Sequence, residues 1–455
     1  MRFLFTCVPG LGHFHPLVPL AGVLVEAGHD VAFATAPVFA DAVTRAGFEA
    51  IPAGANWDER HLLETVPELR KVAKMDRGEW MMNNLFLDRS PRRMMADLPD
   101  VIRSWRPDMI VAGSFEYGGP LAAEKAGLPY ASASYTIRWN RWILRHALGR
   151  SIRRLRAEAG LPPDPELKSF GRHLDLIFAP PSWTFEGALL RPGLARLVAA
   201  KVRSSDLPLR QRLRGLKALL LQRIFARSLK AHPENAAVGP TTHFIRDLDY
   251  RVQPVRSVPS WLAGMPRQPT VFVSLGTVLG AEFPEIYDRI LAGLSDQKIN
   301  LIITLGGTSN PGRFGPQPSN VRIVPTMTQE ELGKLLPHVD LCINHAGYGS
   351  IMDGLLRGIP LVLLPLVSEA PMNTQMCLAS GVAPELPPEI CGLSPKGLPV
   401  VRPERVTPQI IREMAMQALQ DPKYAAAARS LRDELSSREG MGIAVGLLER
   451  VARAR

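Results

Sequence analysis

With 455 residues, 46% of them hydrophobic and 21% charged, the chain is long enough for two or three ordinary domains and can bury sizeable cores. It has no run of about 18 apolar residues, so no membrane-spanning helix is expected; its four cysteines, Cys7, Cys342, Cys377 and Cys391, show no paired spacing, which argues against a disulfide or zinc framework and for a reducing compartment, the cytoplasm by default. The formal net charge of +11 does not describe a general nucleic-acid binder, because residues 187–237 hold 11 Lys or Arg against two acids, +9 of the total, among leucines and with a single aromatic, Phe225.

The chain opens on an apolar run, RFLFTCV, that breaks after Pro9 into Gly10-Leu11-Gly12-His13-Phe14-His15-Pro16. The run is interrupted too soon for a secretory signal peptide. A dinucleotide loop would need GxGxxG and an acid about 20 residues on. Here histidine and a bulky residue follow the second glycine, and the next strand-like run ends FATAP, without an acid. No GxxxxGK[ST] occurs, which excludes a P-loop. His13 and His15 are two apart in a loop with no cluster of acids or thiols nearby, a poor metal site. What remains is a histidine at the carboxyl end of a first parallel strand, where open α/β sheets hold their ligands. With an ordinary pKa of about 6.5 it can take a proton from a hydroxyl. The plain alternative is a histidine that only caps the helix starting near Pro16.

The alternation continues through DVAFATA, a helical stretch ending RAGFEAIP, then DMIVAG, GPLAAEKAGLP and YASAS. Near-continuous apolar runs, each followed by a helix, predict a parallel sheet covered on both faces. Trp80, Met81, Met82, Phe86, Trp139 and Trp142 form a methionine and aromatic set that reads as core more readily than as pocket. Residues 207–230 place Leu209, Leu213, Leu216, Leu220 and Ile224 on one helical stripe, with Arg and Lys over much of the rest. That is either a surface helix packed on its own domain, or an interfacial helix drawn to anionic lipid or covering a greasy substrate.

A proline-rich stretch without a steady period separates the halves. The expected organisation is an N-terminal domain over 1–250, carrying the basic segment 187–237 as an insert, a linker over 251–268 and a C-terminal domain over 269–455. The second half repeats the strand pattern with TVFVSLGT, NLIITLGG, LCINHAG and LVLLPL, and its tail from Thr407 reads as two helices, split near Asp421-Pro422 and again at GMG. Its strongest signal is CINHAGYGS. An apolar strand ends at His345, Gly347 and Gly349 allow close approach of backbone to a ligand, and Ser350 opens a helix. Such a helix end carries unpaired N–H groups and about half a positive charge, a ready phosphate site. Ser274 to Thr277, SLGT, could offer a hydroxyl to the same anion, and a plain glycine-rich turn is the bland alternative.

In order and at comparable spacing, GHFHP (12–16), SLGT (274–277) and HAGYGS…GIP…P…EAPMN (345–373) resemble three motifs of one enzyme family. These are the GHxxP, SxGS/T and HxGxxS/T…G(I/V)P…P…DQ..N motifs of glycosyltransferase family 1, which includes macrolide, enediyne and plant UDP-glycosyltransferases. The resemblance spans nearly the whole chain apart from the basic segment. It implies an α/β fold of the GT-B type, two doubly wound Rossmann-like domains facing across a cleft. It further implies inverting transfer of a sugar from an NDP-sugar (UDP or dTDP) to a hydroxyl of an apolar small-molecule acceptor such as a natural product. No metal or cofactor is implied, the nucleotide sugar being a co-substrate.

On this resemblance His13 matches the general base. His345, Gly347, Gly349 and Ser350 match the diphosphate cradle, with Ser274 and Thr277 at the strand end. Three positions depart from the family. Glu369-Ala370 stand where an Asp-Gln pair binds the sugar, ahead of Asn373, so a deoxysugar would lose least. Thr326-Met327-Thr328-Gln329 align with a (W/F)xPQ pattern whose aromatic stacks on the base, leaving Met327 to pack there. Gly113 stands where an acid commonly orients the base histidine, and Glu116 is the nearest substitute. The expected partners are a nucleotide sugar and an apolar acceptor, without nucleic acid, and with peripheral membrane contact through the basic segment. The alternatives are a membrane-surface lipid or isoprenoid glycosyltransferase, and a catalytically weak nucleotide-binding paralogue.

Overall fold

The apolar runs of the first half pair as a seven-stranded parallel sheet: β1 (Arg2–Thr6), β2 (Asp30–Thr35), β3 (Glu49–Pro52), β4 (Met109–Gly113), β5 (Tyr130–Ser134), β6 (Leu174–Ile177) and β7 (Thr242–Phe244). Those of the second half form a five-stranded parallel sheet of β8 (Thr270–Ser274), β9 (Asn300–Thr304), β10 (Val321–Val324), β11 (Leu341–Asn344) and β12 (Leu361–Leu363). An antiparallel hairpin, β13 (Cys391–Leu393) and β14 (Pro399–Val401), follows. This computed structural model describes residues 1–135, 141–232, 238–246, 260–276, 279–306, 310–366 and 370–454.

In the first half the helices that matter are α1 (Leu11–Phe14), α2 (Val18–Glu26), α3 (Ser90–Trp105) and α4 (Gly118–Ala126), followed by α5 (Pro192–Arg203) and α6 (Leu209–Ala231). The second half contributes α7 (Glu285–Leu294), α8 (Gln329–Leu335), α9 (Tyr348–Leu355) and α10 (Ala370–Ala379). The tail holds α11 (Pro408–Gln420), α12 (Pro422–Ser436) and α13 (Met441–Arg453), so its two breaks make three helices rather than two. Strands β1 and β4 are buried on both faces, as helices above and below a parallel sheet require. Met94, Leu98, Val101 and Trp105 recur at helical spacing on α3 and close over Leu4, Ile110 and Ala34. In the second sheet Val271, Leu301 and Ile343 meet Ile286 and Ile290 of α7 and Ile411 and Met414 of α11.

Strand order is β3-β2-β1-β4-β5-β6-β7 in one sheet and β10-β9-β8-β11-β12 in the other. Each order reverses direction once, between β1 and β4 and between β8 and β11. Such a switch point leaves a crevice at the carboxyl ends of the two strands, where open α/β sheets bind ligands. Two doubly wound units of this kind are the GT-B architecture.

The units are not consecutive in sequence. One comprises Met1–Phe185, Phe225–Leu248 and Ser437–Arg455, the other Glu186–Ile224 and Asp249–Ser436. Most of the basic segment expected as an insert of the first domain therefore packs with the second. Leu194 and Val198 of α5, with Leu207, bury against Leu393 and Leu398 of the hairpin, and Lys201 Nζ donates to the Pro388 carbonyl at 3.1 Å. The last helix, expected with the C-terminal domain, joins the first unit: α13 packs on α2 and β6, and Glu449 Oε1 lies 2.9 Å from His29 Nε2. Of the linker expected at 251–268, residues 251–259 lie outside the described ones, and Ser260–Ala263 form a short helix.

Candidate active site

At the first switch point β1 delivers the glycine loop. Gly10 stands before α1 and His13 is the third residue of that short helix. A Cβ at Gly10 would lie 2.5 Å from Glu59 Oε2 and 3.2 Å from His13 Cδ2, so a larger residue would press on both side chains. Gly12 is different, because a Cβ there would meet nothing within 4 Å. The His13 ring stands 5.6 Å from Phe86 and edge-on to Phe115 at 5.7 Å. Phe86 belongs to a π-helical segment, Met82–Arg89, that leads into α3; π turns inside longer helices are rare and gather at functional sites.

The neighbouring strand β4 supplies the other wall. Phe115 adopts a left-handed backbone, φ 65°, uncommon for a bulky residue and found mostly where function demands a particular turn. Ser114 just before it is fixed from β5, since Tyr135 N donates to Ser114 Oγ at 2.9 Å. The Ser114 main chain lies beside the His13 ring and favours its charged form. Burial pushes the His13 pKa down to about 4, and that main chain offsets only part of the shift. At neutral pH the ring is uncharged, and a neutral imidazole has one nitrogen with a lone pair to accept a proton. That is the state a general base needs.

Glu116, the nearest substitute for an orienting acid, is engaged by other partners than His13. Its buried carboxylate accepts from Thr6 Oγ1 at 2.6 Å, Gly118 N at 2.7 Å and Gly119 N at 2.8 Å. It thus caps α4, and the left-handed turn at Phe115 is what sends it back to that helix. A Cβ at Gly119 would lie 2.3 Å from Thr6 Oγ1 and 2.6 Å from Glu116 Oε2, which explains the glycine. Burial raises the Glu116 pKa against these three hydrogen bonds. Gly113 is crowded as well: a Cβ there would sit 2.9 Å from Leu17 Cδ1, so an acid at that position would have to displace the buried leucine. Where a charge orients the base in the resembling family, the group beside His13 that favours its charged form here is the Ser114 main chain.

The second switch point repeats the plan. His345 follows β11, and its ring lies in a slot between two glycines. A Cβ at Gly276 would be 2.8 Å from His345 Cε1, and one at Gly347 2.4 Å from Nε2. Ala346 takes a left-handed backbone, φ 65°, and two asparagines hold it. Asn344 Oδ1 accepts from Ala346 N at 2.8 Å, and Asn373 Nδ2 donates to the Ala346 carbonyl at 3.0 Å. Asn373, expected to bind the donor, therefore uses its amide to shape the His345 loop. Burial pushes the His345 pKa down to about 4, with the Ser274 main chain as the opposing influence, and Nδ1 is buried without a hydrogen-bond partner.

No side chain caps the N-terminus of α9, which starts directly after this slot. Gly349 in its first turn faces open space, with nothing within 4 Å of a Cβ. The protein's own packing does not require a glycine there. Ser274 pairs in register with Asn344, and the Ser350 carbonyl accepts from Asn344 Nδ2 at 3.4 Å, so both lie on the rim of the same slot. A helix N-terminus, an uncharged imidazole and flanking glycines together suit a diphosphate.

The remaining expected donor residues are less gathered. Met327 is half-buried before α8, where Thr328 forms a capping box with Glu331, and Gln329 is the first residue of that helix. Among the described contacts none joins Met327 to the His345 slot. Thr277 and Glu369 lie outside the described residues, as does Trp139. Ser114, Phe115, Asn344 and Gly276 also shape the two sites, without being singled out by the motifs. Asn344, a polar residue at the end of an apolar strand, carried a usable signal; nothing marked Phe115, because a left-handed phenylalanine has no sequence signature. Phe86 was read as core, and it does pack with Trp57 and Val8, yet its ring also walls His13.

Residues 23–174 match the family described as erythromycin biosynthesis protein CIII-like, N-terminal domain, and residues 288–444 match its C-terminal domain, together more than half of the chain. The chain is 27% identical to tylactone mycaminosyltransferase of Streptomyces fradiae, over 99% of this chain and 92% of that protein. It is 26% identical to 10-deoxymethynolide desosaminyltransferase of Streptomyces venezuelae, over 95% and 93% respectively. The crystal structure of the glycosyltransferase VinC in complex with dTDP superposes with a TM-score of 0.64 at 22% identity, covering 100% of both chains, a likeness of fold.

Proposed function

The chain belongs to the erythromycin biosynthesis protein CIII-like family, a family of NDP-sugar-dependent glycosyltransferases, and from that premise we propose that it moves a deoxysugar from a thymidine diphosphate carrier to a hydroxyl of an apolar natural product. Support for the sugar comes from the relatives, which are named for mycaminosyl and desosaminyl transfer, both deoxysugars. It comes also from Ala370, whose buried side chain has no polar atom for a sugar hydroxyl. Support for the nucleotide is the dTDP bound by the VinC fold neighbour. No cofactor or metal takes part in this reading. A cytoplasmic protein is proposed, with peripheral membrane contact through the basic segment; among the described residues no helix is long and apolar enough to cross a bilayer.

His13 takes the proton of the acceptor hydroxyl as its oxygen attacks the anomeric carbon from the face opposite the diphosphate. The bond from that carbon to the diphosphate oxygen breaks, and the configuration inverts. Charge then builds on the leaving diphosphate, where the α9 N-terminus and His345 offset it. Donors aimed at developing charge in a desolvated site stabilise the transition state more than the bound substrate. The observation that carries this reading is the uncapped α9 N-terminus beside the His345 slot.

The test is release of nucleoside diphosphate from a panel of dTDP- and UDP-sugars in the presence of natural-product aglycones. His13→Ala should lower turnover by about 10²–10⁴-fold while leaving donor binding intact. Full activity in that variant would refute the base assignment. A larger rise in melting temperature with UDP than with dTDP would overturn the choice of nucleotide, since ligands stabilise by mass action.

A further inference from the structure

Leu209, Leu213, Leu216, Leu220 and Ile224 make the apolar stripe of α6, and an ordinary surface helix would bury such a stripe against its own domain. They are instead 68, 54, 51, 57 and 43% exposed. The helix packs through its opposite face. There a Cβ at Gly215 would lie 2.5 Å from Val202 Cγ2, and Gln222 Nε2 donates to the Leu189 carbonyl at 2.7 Å. Gln211 Oε1 accepts from Leu393 N at 3.3 Å on that same face. The leucine row is therefore an outward surface of a helix that is already docked.

The charges follow the row. Helix α6 carries seven Lys or Arg and no acid. At about 100° per residue, Arg210, Arg214 and Lys217 border one side of the leucines and Arg223 and Lys230 the other, while Arg212 Nε donates to the Val202 carbonyl at 2.8 Å on the packed side. An apolar row flanked on both sides by cations suits a layer with hydrocarbon in the middle and negative charge at its edge. A second copy of the same helix would oppose like charges along its whole length.

We infer that α6 is a membrane-docking helix that lies in the plane of an anionic phospholipid surface. The row from Leu209 to Ile224 enters the acyl boundary and the flanking cations meet the headgroup phosphates. Over these residues the row is about 22 Å long at about 1.5 Å per residue, enough for a stable in-plane contact. An apolar acceptor partitions into the same layer, so docking would place the enzyme where that substrate is concentrated. The inference does not depend on the sugar-transfer reading, because lipid binding is measured without turnover.

The experiment is co-sedimentation of the full chain with vesicles of phosphatidylcholine alone or of equal parts phosphatidylcholine and phosphatidylglycerol. The protein should bind the mixed vesicles at low salt, bind them less at high salt, and leave the neutral ones unbound. The combined variant Lys217→Glu, Arg223→Glu and Lys230→Glu should weaken that binding by at least about a hundredfold, since each cation near such a surface contributes roughly a factor of five. Leu213→Ser with Leu216→Ser and Leu220→Ser should also abolish it, and both variants should keep the parent melting temperature. Absence of binding, or equal binding to neutral vesicles, overturns the inference. So does a dimer in gel filtration that the serine variant dissociates, which would assign the row to a protein partner.

Discussion

At the scale of single residues, the two histidines share one physical state. Each follows a strand at a switch point, each is desolvated, and burial holds each near a pKa of about 4 rather than the ordinary 6.5. The sign of the stability effect follows from that depression. Above about pH 6.5 both folded and unfolded chains leave the rings neutral, and stability is indifferent to pH. Below it the unfolded chain takes up protons that the folded one refuses, so stability falls as pH drops towards 4. One such proton corresponds to about 1.4 kcal/mol per pH unit. Urea unfolding measured between pH 7 and pH 5 should show this slope. His13→Gln should flatten it for unfolding of the first unit and His345→Gln for the second. A slope unchanged by either substitution would mean that other groups carry the acid sensitivity.

At the scale of elements, the turn from β4 into α4 decides how the base is held. Its left-handed residue leaves the Ser114 main chain beside His13 and directs the Glu116 carboxylate to the α4 amides. Restoring an acid in the strand by Gly113→Asp should not improve the site, because the new Cβ would press on Leu17, which is fully buried. Overpacking of this sort costs about 1–3 kcal/mol. In a double-mutant cycle with Leu17→Ala, the pair should be less destabilised than the sum of the single changes. Strict additivity would show that Leu17 is not what closes the position. The strands and His345 were legible in the sequence because apolar runs and a histidine before glycines report local conformation. The role of Glu116 was not legible, because nearness along the chain does not reveal which way a turn points a side chain. The leucine row of α6 was legible as a stripe, but its outward direction was not, since Gln211, Gly215 and Gln222 make a second packing face that hydrophobicity alone does not display.

At the scale of the whole molecule, membership of the two units follows side-chain complementarity between segments far apart in sequence. The proline-rich break near residue 250 could be seen from composition, whereas the return of α13 to the first unit could not. That return rests on Met441, Ala444, Leu447, Leu448 and Ala452, all buried, on the His29–Glu449 pair, and on Arg246 N donating to the Glu439 carbonyl at 2.8 Å. Leu448 is 0% exposed, and truncating such a leucine to alanine costs about 2–5 kcal/mol through lost burial and the cavity left behind. If α13 belongs to the first unit, that cost falls on a segment more than 400 residues away in sequence. Leu448→Ala should accelerate amide hydrogen exchange in α2 and β6, which α13 touches. Exchange in β8, β9 and β11 should stay at the parent rate, because those strands draw their cover from α7 and α11. Equal acceleration in both sheets would place the last helix in a core common to the entire chain and dissolve the division into two units.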